Sequence, residues 1–261
     1  MSCELCKETP GFVMTTHEDG IETFAQCDCV LRIYQEDKRS RANIPAEYQA
    51  ASLDNFMLPE NNPLARSQYA AVLVAVRAYI RNFPNVDPRG LLFIGDVGVG
   101  KTHLAVAVLR SLLERGFEGV FYNYSRLLDH IMMSWKAAEA GPMDKEAYRR
   151  ALETPVLVLD DLGAHRVKDW VEDKVTEIVT ERCDSRLATI FTTNLPDTYS
   201  GEREQPLDDH GAWKQSIEQF KYKRTLEEHV GRRVRSRLFQ MCKVIRMDGP
   251  DYRQIIANRG R

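Results

Sequence analysis

One loop, GDVGVGKT from Gly95 to Thr102, constrains this chain more than any other stretch. It follows the apolar run Leu91-Leu92-Phe93-Ile94 and leads into Leu104-Ala105-Val106-Ala107-Val108-Leu109, a good helix former. Strand, glycine-rich turn and helix form the setting in which G-x-x-x-x-G-K-[ST] grips a phosphate. Glycines let successive backbone N–H groups point inward with no Cβ in the way. The helix adds its unpaired N-terminal N–H groups and the positive end of its dipole. Gly95, Asp96, Val97, Gly98, Val99, Gly100, Lys101, Thr102 and His103 are therefore assigned to a nucleoside triphosphate. Lys101 is expected on the outer phosphates and the Thr102 hydroxyl on Mg²⁺.

A chain of 261 residues, 43% hydrophobic, holds one large α/β domain plus a small appendage. Its net charge of −2 predicts no overall attraction to nucleic acid, so any such contact needs a local patch. No apolar run has the length of a membrane-spanning helix, and MSCELCKETP lacks a signal-peptide core. The expectation is a cytoplasmic protein without membrane contact, in a compartment that disfavours structural disulfides.

Four of the six cysteines crowd into the first 29 residues as Cys3-x-x-Cys6 and Cys27-x-Cys29. Two such pairs closing on one tetrahedral Zn²⁺ would staple a segment too short to fold unaided. Gly11–Thr16 and Ile21–Ala25 read as a hairpin around Glu18-Asp19-Gly20 that brings the pairs together. The single residue inside Cys27-x-Cys29 is tight for this pattern, and reduced thiols without metal are the other reading. His17 is a substitute ligand or a solvated hairpin tip. Four thiolates leave no open coordination position, so this zinc is structural rather than catalytic. Residues Leu31 to Arg41 read as a charged helix. The expected organisation is a zinc-binding segment over 1–40, a linker over 41–65 laid across a domain surface, and an ATPase domain over 66–261.

Within the core, Arg66 to Arg81 reads as a helix with Tyr69, Val72, Leu73, Val76, Tyr79 and Ile80 on one face. Val120–Tyr124 reads as a second strand. Val156-Leu157-Val158-Leu159 is a buried parallel strand with Asp160 and Asp161 at its C-terminal end, where open parallel sheets bind ligands. Asp160 fits the Walker B role of holding Mg²⁺, and Asp161 a carboxylate that orients and activates the attacking water. A third strand, Ala188–Asn194, ends in polar residues. Paired beside the other two it brings Asn194 or Thr193 to the γ-phosphate; otherwise it simply opens a turn. Lys168 to Arg186 reads as a helix, with Cys183 as a small buried hydrophobe.

These motifs together resemble the AAA+ ATPases, and within them the DnaC/DnaI-type helicase loaders and their IstB-like relatives. The resemblance rests on GDVGVGKTHLA, VLVLDDLG, TTNLP and Gly231-Arg232-Arg233-Val234-Arg235-Ser236-Arg237-Leu238, in that order. It implies a P-loop α/β fold, three-layer α/β/α with a parallel five-stranded sheet; the expected lack of a C-terminal lid domain, with little chain after the last strand, departs from many AAA+ proteins. It also implies a slow, partner- or DNA-stimulated ATPase that assembles with copies of itself, with ATP between subunits. Asn194 would be the sensor within the subunit. Arg233 or Arg237 would enter the neighbour's site as an arginine finger, or else belong to a solvated basic face or a nucleic-acid contact. Arg253 would approach the nucleotide of its own subunit. The implied partners are a replicative DNA helicase, loaded onto single-stranded DNA, or in the IstB-like alternative a transposase at target DNA. A nucleotide-binding module without turnover is the reading from another class. One departure is the long polar segment Asp197 to Val230, with Trp213, Phe220 and Tyr222, where relatives are shorter.

Ser125–Ala140 and Asp144–Leu152 read as two helices broken by Gly141-Pro142. In loader and initiator relatives a helix here lines the ring channel and touches single-stranded DNA. By that resemblance Arg126, Lys136, Lys145, Arg149 and Arg150 would contact phosphates. Trp135 and Tyr148 would stack on bases, or else share the core with Leu127, Leu128, Ile131 and Met132.

Overall fold

The computed structural model describes residues 6, 11–16, 21–59, 62–136, 142–164, 169–197 and 225–253. Cys3, His17, Trp213, Phe220 and Tyr222 lie outside the described residues, as do the side chains of Trp135, Lys136 and Lys145. Among the described residues no helix is long and apolar enough to cross a membrane.

The chain opens with an antiparallel hairpin, β1 (Phe12–Thr16) and β2 (Glu22–Gln26), followed by α1 (Asp28–Arg41). The helix starts three residues before the expected Leu31, with Cys27 at its N-cap and Asp28 in its first turn, where a carboxylate favours the dipole. The tight Cys27-x-Cys29 spacing is thus a helix start.

The main sheet has five parallel strands: β3 (Gly90–Gly95), β4 (Gly119–Asn123), β5 (Val156–Asp160), β6 (Ala188–Thr193) and β7 (Cys242–Met247). Their order is β4-β5-β6-β3-β7. β3 pairs with β6 on one side and β7 on the other, so the phosphate-loop strand lies inside the sheet. Apolar runs suit β3 and β5 because both faces of the sheet are covered by helices. On one face lie α2 (Pro63–Asn82) and α3 (Lys101–Glu114). On the other lie α4 (Tyr124–Lys136), α5 (Pro142–Glu153), α6 (Asp169–Asp184) and α7 (Leu226–Met241). The three-layer arrangement matches the expectation.

Helix α2 begins where Asn62 Oδ1 accepts from Ala65 N at 3.0 Å with Pro63 in the first turn, and it buries Tyr69, Val72, Leu73, Val76 and Tyr79. Helix α7 opens with a reciprocal cap: Thr225 Oγ1 accepts from Glu228 N, and Glu228 Oε2 accepts from Thr225 N. It kinks at Gly231, whose φ of 79° only glycine adopts without strain.

Residues 42–58 do more than connect. Ala42 O accepts from Phe121 N at 2.8 Å and Asn43 Nδ2 donates to Phe121 O at 3.0 Å, covering the free edge of β4. Ala42, Ala51 and Phe56 are buried in the same apolar cluster as α2 and α3. Helix α1 docks on the end of α3, where Lys38 donates to Gly116 O and Arg39 pairs with Glu114 at 2.6 Å.

Candidate nucleotide-binding site

The C-terminal ends of β3, β5 and β6 meet at one cavity of about 890 Å³, the size of a cofactor site. Gly98 and Gly100 have φ of 79° and 92°. A Cβ at Gly98 would lie 1.9 Å from Asp251 Oδ1, and one at Gly100 would lie 2.6 Å from the Phe56 ring. Both glycines are required by backbone conformation and by close approach.

Lys101 is buried and donates to Gly95 O at 2.9 Å and Asp96 O at 2.7 Å, so it folds back on its own loop. Burial pulls its pKa down to about 8, against the carboxylates of Asp161, Asp160 and Asp96, which favour the charged form. Phosphate binding needs the charged lysine, so the sign is fixed. ATP affinity should be full below pH 8 and fall by up to about tenfold per unit above it. Binding at pH 8, where the free lysine is about half charged, should take up about half a proton. Calorimetry in two buffers of different ionisation enthalpy measures this, and zero uptake would remove Lys101 from the phosphate site.

Thr102 Oγ1 donates to Asp160 Oδ1 at 2.8 Å, and Thr192 Oγ1 donates to the same oxygen at 2.7 Å. Burial raises the Asp160 pKa, and so does Asp161, while the two hydroxyls and Lys101 hold it down. A hydroxyl and a carboxylate side by side are the hard oxygen donors that Mg²⁺ prefers, so these residues fit that ion. Asp161 has a φ of 58°, the left-handed region that costs a non-glycine residue strain. Thr192 Oγ1 accepts from Asp161 N at 2.9 Å, and Ala164 N donates to Asp161 O, so the strained turn is held from both sides. Asn194 Nδ2 donates to Asp161 Oδ1 at 3.4 Å. β6 thus runs beside β5, and Asn194, rather than Thr193, faces the acid. The Thr193 hydroxyl is turned to Leu162 O at 2.9 Å.

Other walls have no motif in the sequence to announce them. Tyr48, Asn55 and Phe56 line the cavity from residues expected to form a linker, and Asn123 and His130 line it from β4 and α4. The apolar residues among 44–56 are the available signal. His103 also lines the cavity, its Nε2 on Ser52 O at 2.9 Å. Tyr252 N donates to Gly98 O at 3.1 Å and Arg253 lines the wall, so the segment after β7 closes on the phosphate loop.

The chain matches the model of the IstB-like ATP binding protein over residues 66–210, more than half of its length. The chain belongs to the IstB-like ATP binding protein family. This IstB-like chain is 28% identical to the replicative helicase loader DnaI of Bacillus subtilis (strain 168) over 167 residues, 63% of this chain and 48% of that one. It thus spans about half the length of that relative. It is also 28% identical over 166 residues to the putative ATP-binding protein of insertion sequence IS1162 from Pseudomonas fluorescens, covering 62% of this chain and 67% of that protein. The crystal structure of the DnaC helicase loader is similar with a TM-score of 0.58 at 27% identity, over 78% of this chain and 99% of that chain.

The expected finger arginines of this IstB-like chain differ in surroundings. Arg237 turns back to α6, pairing with Asp184 at 3.2 Å and donating to Gln240 Oε1 at 3.2 Å and Cys183 Sγ at 3.8 Å. Cys183, expected as a buried hydrophobe, is partly exposed there. Arg233 is exposed and has no ion-pair partner among the described residues. Of the expected DNA contacts, Arg126 is exposed and lines the cavity. Arg149 pairs with Glu146 at 2.7 Å and Glu153 at 2.9 Å, and Arg150 donates to Arg41 O. Among the described basic side chains there, Arg149 and Arg150 are thus engaged within the chain and Arg126 faces the cavity. Tyr148 is partly buried beside Lys174, and Leu127, Leu128 and Ile131 are core.

Near the N-terminus, the sulfurs of Cys6, Cys27 and Cys29 lie within 4.8 Å of one another, with Cys6 and Cys29 3.4 Å apart. In a tetrahedral site with Zn–S of about 2.3 Å, sulfurs are about 3.8 Å apart, so the trio fits zinc.

Proposed function

We propose that this chain is an ATPase whose active site is completed by a second copy, and that it uses ATP-dependent assembly to place a replicative ring helicase on single-stranded DNA. The reading rests foremost on Lys101, the Thr102–Asp160 pair and Asp161 with Asn194 gathered at one cavity. Thr102 and Asp160 would hold Mg²⁺, which would supply positive charge to the phosphates. The Asp161 carboxylate, placed by its left-handed backbone, orients the attacking water, and Asn194 holds that carboxylate. Arg233, the candidate without an ion-pair partner among the described residues, enters the neighbour's site and neutralises charge there.

In an assembly whose subunits meet head to tail, each copy gives one surface and receives another. Lys101→Ala then makes a subunit that only donates its arginine, and Arg233→Ala one that only accepts. Each alone should be inactive. An equimolar mixture should regain about one quarter of the wild-type ATPase rate, the share of interfaces with the productive order. No recovery at any ratio would refute the shared site.

A transposition role is the second reading, supported by the insertion-sequence relative. The cysteine trio favours the loader, because the N-terminal cysteine pairs and the Ile44-Pro45 to Asn55-Phe56 linker resemble the versions of this family that carry a zinc-bearing N-terminal domain. Zinc held by Cys6, Cys27 and Cys29, with Cys3 as fourth ligand, would fix the hairpin against α1 as the surface that meets the helicase. Elemental analysis of protein purified without chelator should give about one zinc per chain. A value near zero would remove the metal. Capture of a replicative helicase by the full chain, and not of a transposase, decides between the two roles.

A further inference from the structure

The loop that ends β6 runs straight from the nucleotide site into a set of contacts with α7. Asn194, at the cavity, is followed by Leu195, Pro196 and Asp197. Pro196 O accepts from Leu226 N at 2.8 Å, at the first residue of α7. The Asp197 side chain is only 9% exposed, and its Oδ1 accepts from Arg235 Nε at 2.8 Å and from a second Arg235 nitrogen at 2.7 Å. Its Oδ2 faces Arg246 on β7 at 3.8 Å. Arg235 is further held by Glu227 at 3.7 Å and by the Phe239 ring, 4.9 Å from its guanidinium carbon.

A second tie joins α7 to the loop after β5. His229 Nδ1 donates to Gly163 O at 2.6 Å. A Cβ on Gly163 would lie 2.5 Å from Leu195 and 3.3 Å from His229, so the two loops and the start of α7 sit in close contact. Between these ties lies Gly231, the kink. It divides α7 into a start fixed to the nucleotide loops and a second half that carries Arg232, Arg233 and Arg235. Arg232 and Arg233 are exposed and without ion-pair partners among the described residues. Past the kink, the aspartate–arginine clamp is what holds the second half to the sensor loop.

We propose that Asp197 is a positioning residue: by clamping Arg235 to the loop that carries Asn194, it sets the pitch of α7 from which Arg233 reaches the next subunit's nucleotide. This rests on the shared site proposed above. It implies that the arginine one subunit lends is aimed by the loop that reads that subunit's own nucleotide. A partly buried carboxylate holding two arginines suits this task, since charge-assisted bonds to a guanidinium fix direction as well as distance. A misplacement of about 1 Å at the reacting group costs up to about 10²-fold in rate.

The test uses the donor-only (Lys101→Ala) and acceptor-only (Arg233→Ala) subunits, with Asp197→Asn added to one or the other. In the donor, Asp197→Asn should lower the recovered ATPase rate at least about tenfold. In the acceptor it should leave the rate within about twofold, because Asn194 there is still held by the β6 pairing and by Asp161. A merely structural role would depress both mixtures alike, and equal loss would overturn the proposal. No loss in either would overturn it too. Recovery absent already in the unmodified mixture would sink the shared site, and this role with it. Asp197→Glu in the donor, which keeps the charge, should restore part of the loss. If Asp197→Asn does not fold, Arg235→Lys replaces it with the same expected asymmetry, since an ammonium keeps the charge but loses the two-pronged grip.

Discussion

Asp161→Asn should lower ATP turnover by about 10²–10⁴-fold while leaving ATP affinity nearly unchanged. The substitution is chosen for the backbone. Asp161 sits at a φ of 58°, a conformation that asparagine tolerates and alanine does not. Thr192 can still accept from the residue 161 N–H, and the side-chain amide can still meet Asn194. Only the charge that draws the water's proton is lost. A fall in kcat without a fall in binding is the signature of an interaction made in the transition state. Turnover equal to wild type would instead support a module that binds nucleotide and does not spend it.

The second large effect concerns stability. Arg182 is fully buried, yet no carboxylate partners it among the described residues. Its guanidinium donates to Ala151 O at 3.0 Å, Leu152 O at 3.2 Å, Thr154 O at 2.8 Å, Ala188 O at 2.7 Å and Thr189 Oγ1 at 2.8 Å. Burial pulls its pKa down to about 9, which leaves it charged at neutral pH. The carbonyls at the C-terminal end of α5 supply the negative end of a helix dipole in place of a counter-ion. One side chain thereby joins α5 to the starts of β5 and β6. Arg182→Met should cost about 3–5 kcal/mol, because several buried carbonyls lose their cationic donor at once. Arg182→Lys should recover little, since an ammonium cannot span partners spread around a planar fork. Urea unfolding reads both, and a loss below about 1 kcal/mol would mean that water replaces the guanidinium there.

The parts of this site that lie in short, contiguous patterns are legible in the amino-acid sequence alone. The phosphate loop declares itself by its glycines and flanks, and Asp160 with Asp161 by the apolar strand before them. Asn194 is legible only conditionally, because a polar strand end has no meaning until the strand's neighbours are known. The placement of β6 between β5 and β3 supplies that condition. Pairings across long separations leave no such mark. Nothing local singles out Asp197 as the partner of Arg235, 38 positions away. Nor does composition tell Arg233 from Arg237, two similar arginines on one helix whose difference is the presence of Asp184 beside one of them. Arg149 is expected at DNA only by resemblance, and no local signal shows that two glutamates, three and four residues away on the same helix, pair with it.

The segment before α2 reads in sequence as a connector, and it forms part of the cavity. Phe56 lies against Gly100, Ser52 O receives His103, and Arg110 of the phosphate-loop helix donates to Ala51 O. Separability in sequence is therefore not separability in space. A fragment cut at residue 66 would keep every signature motif and still lose a wall of its nucleotide cavity, along with the cover on the β4 edge. The surroundings of the nucleotide cavity thus begin at Ala42, at the foot of α1, so the cysteine hairpin is joined to them through one helix with no slack between.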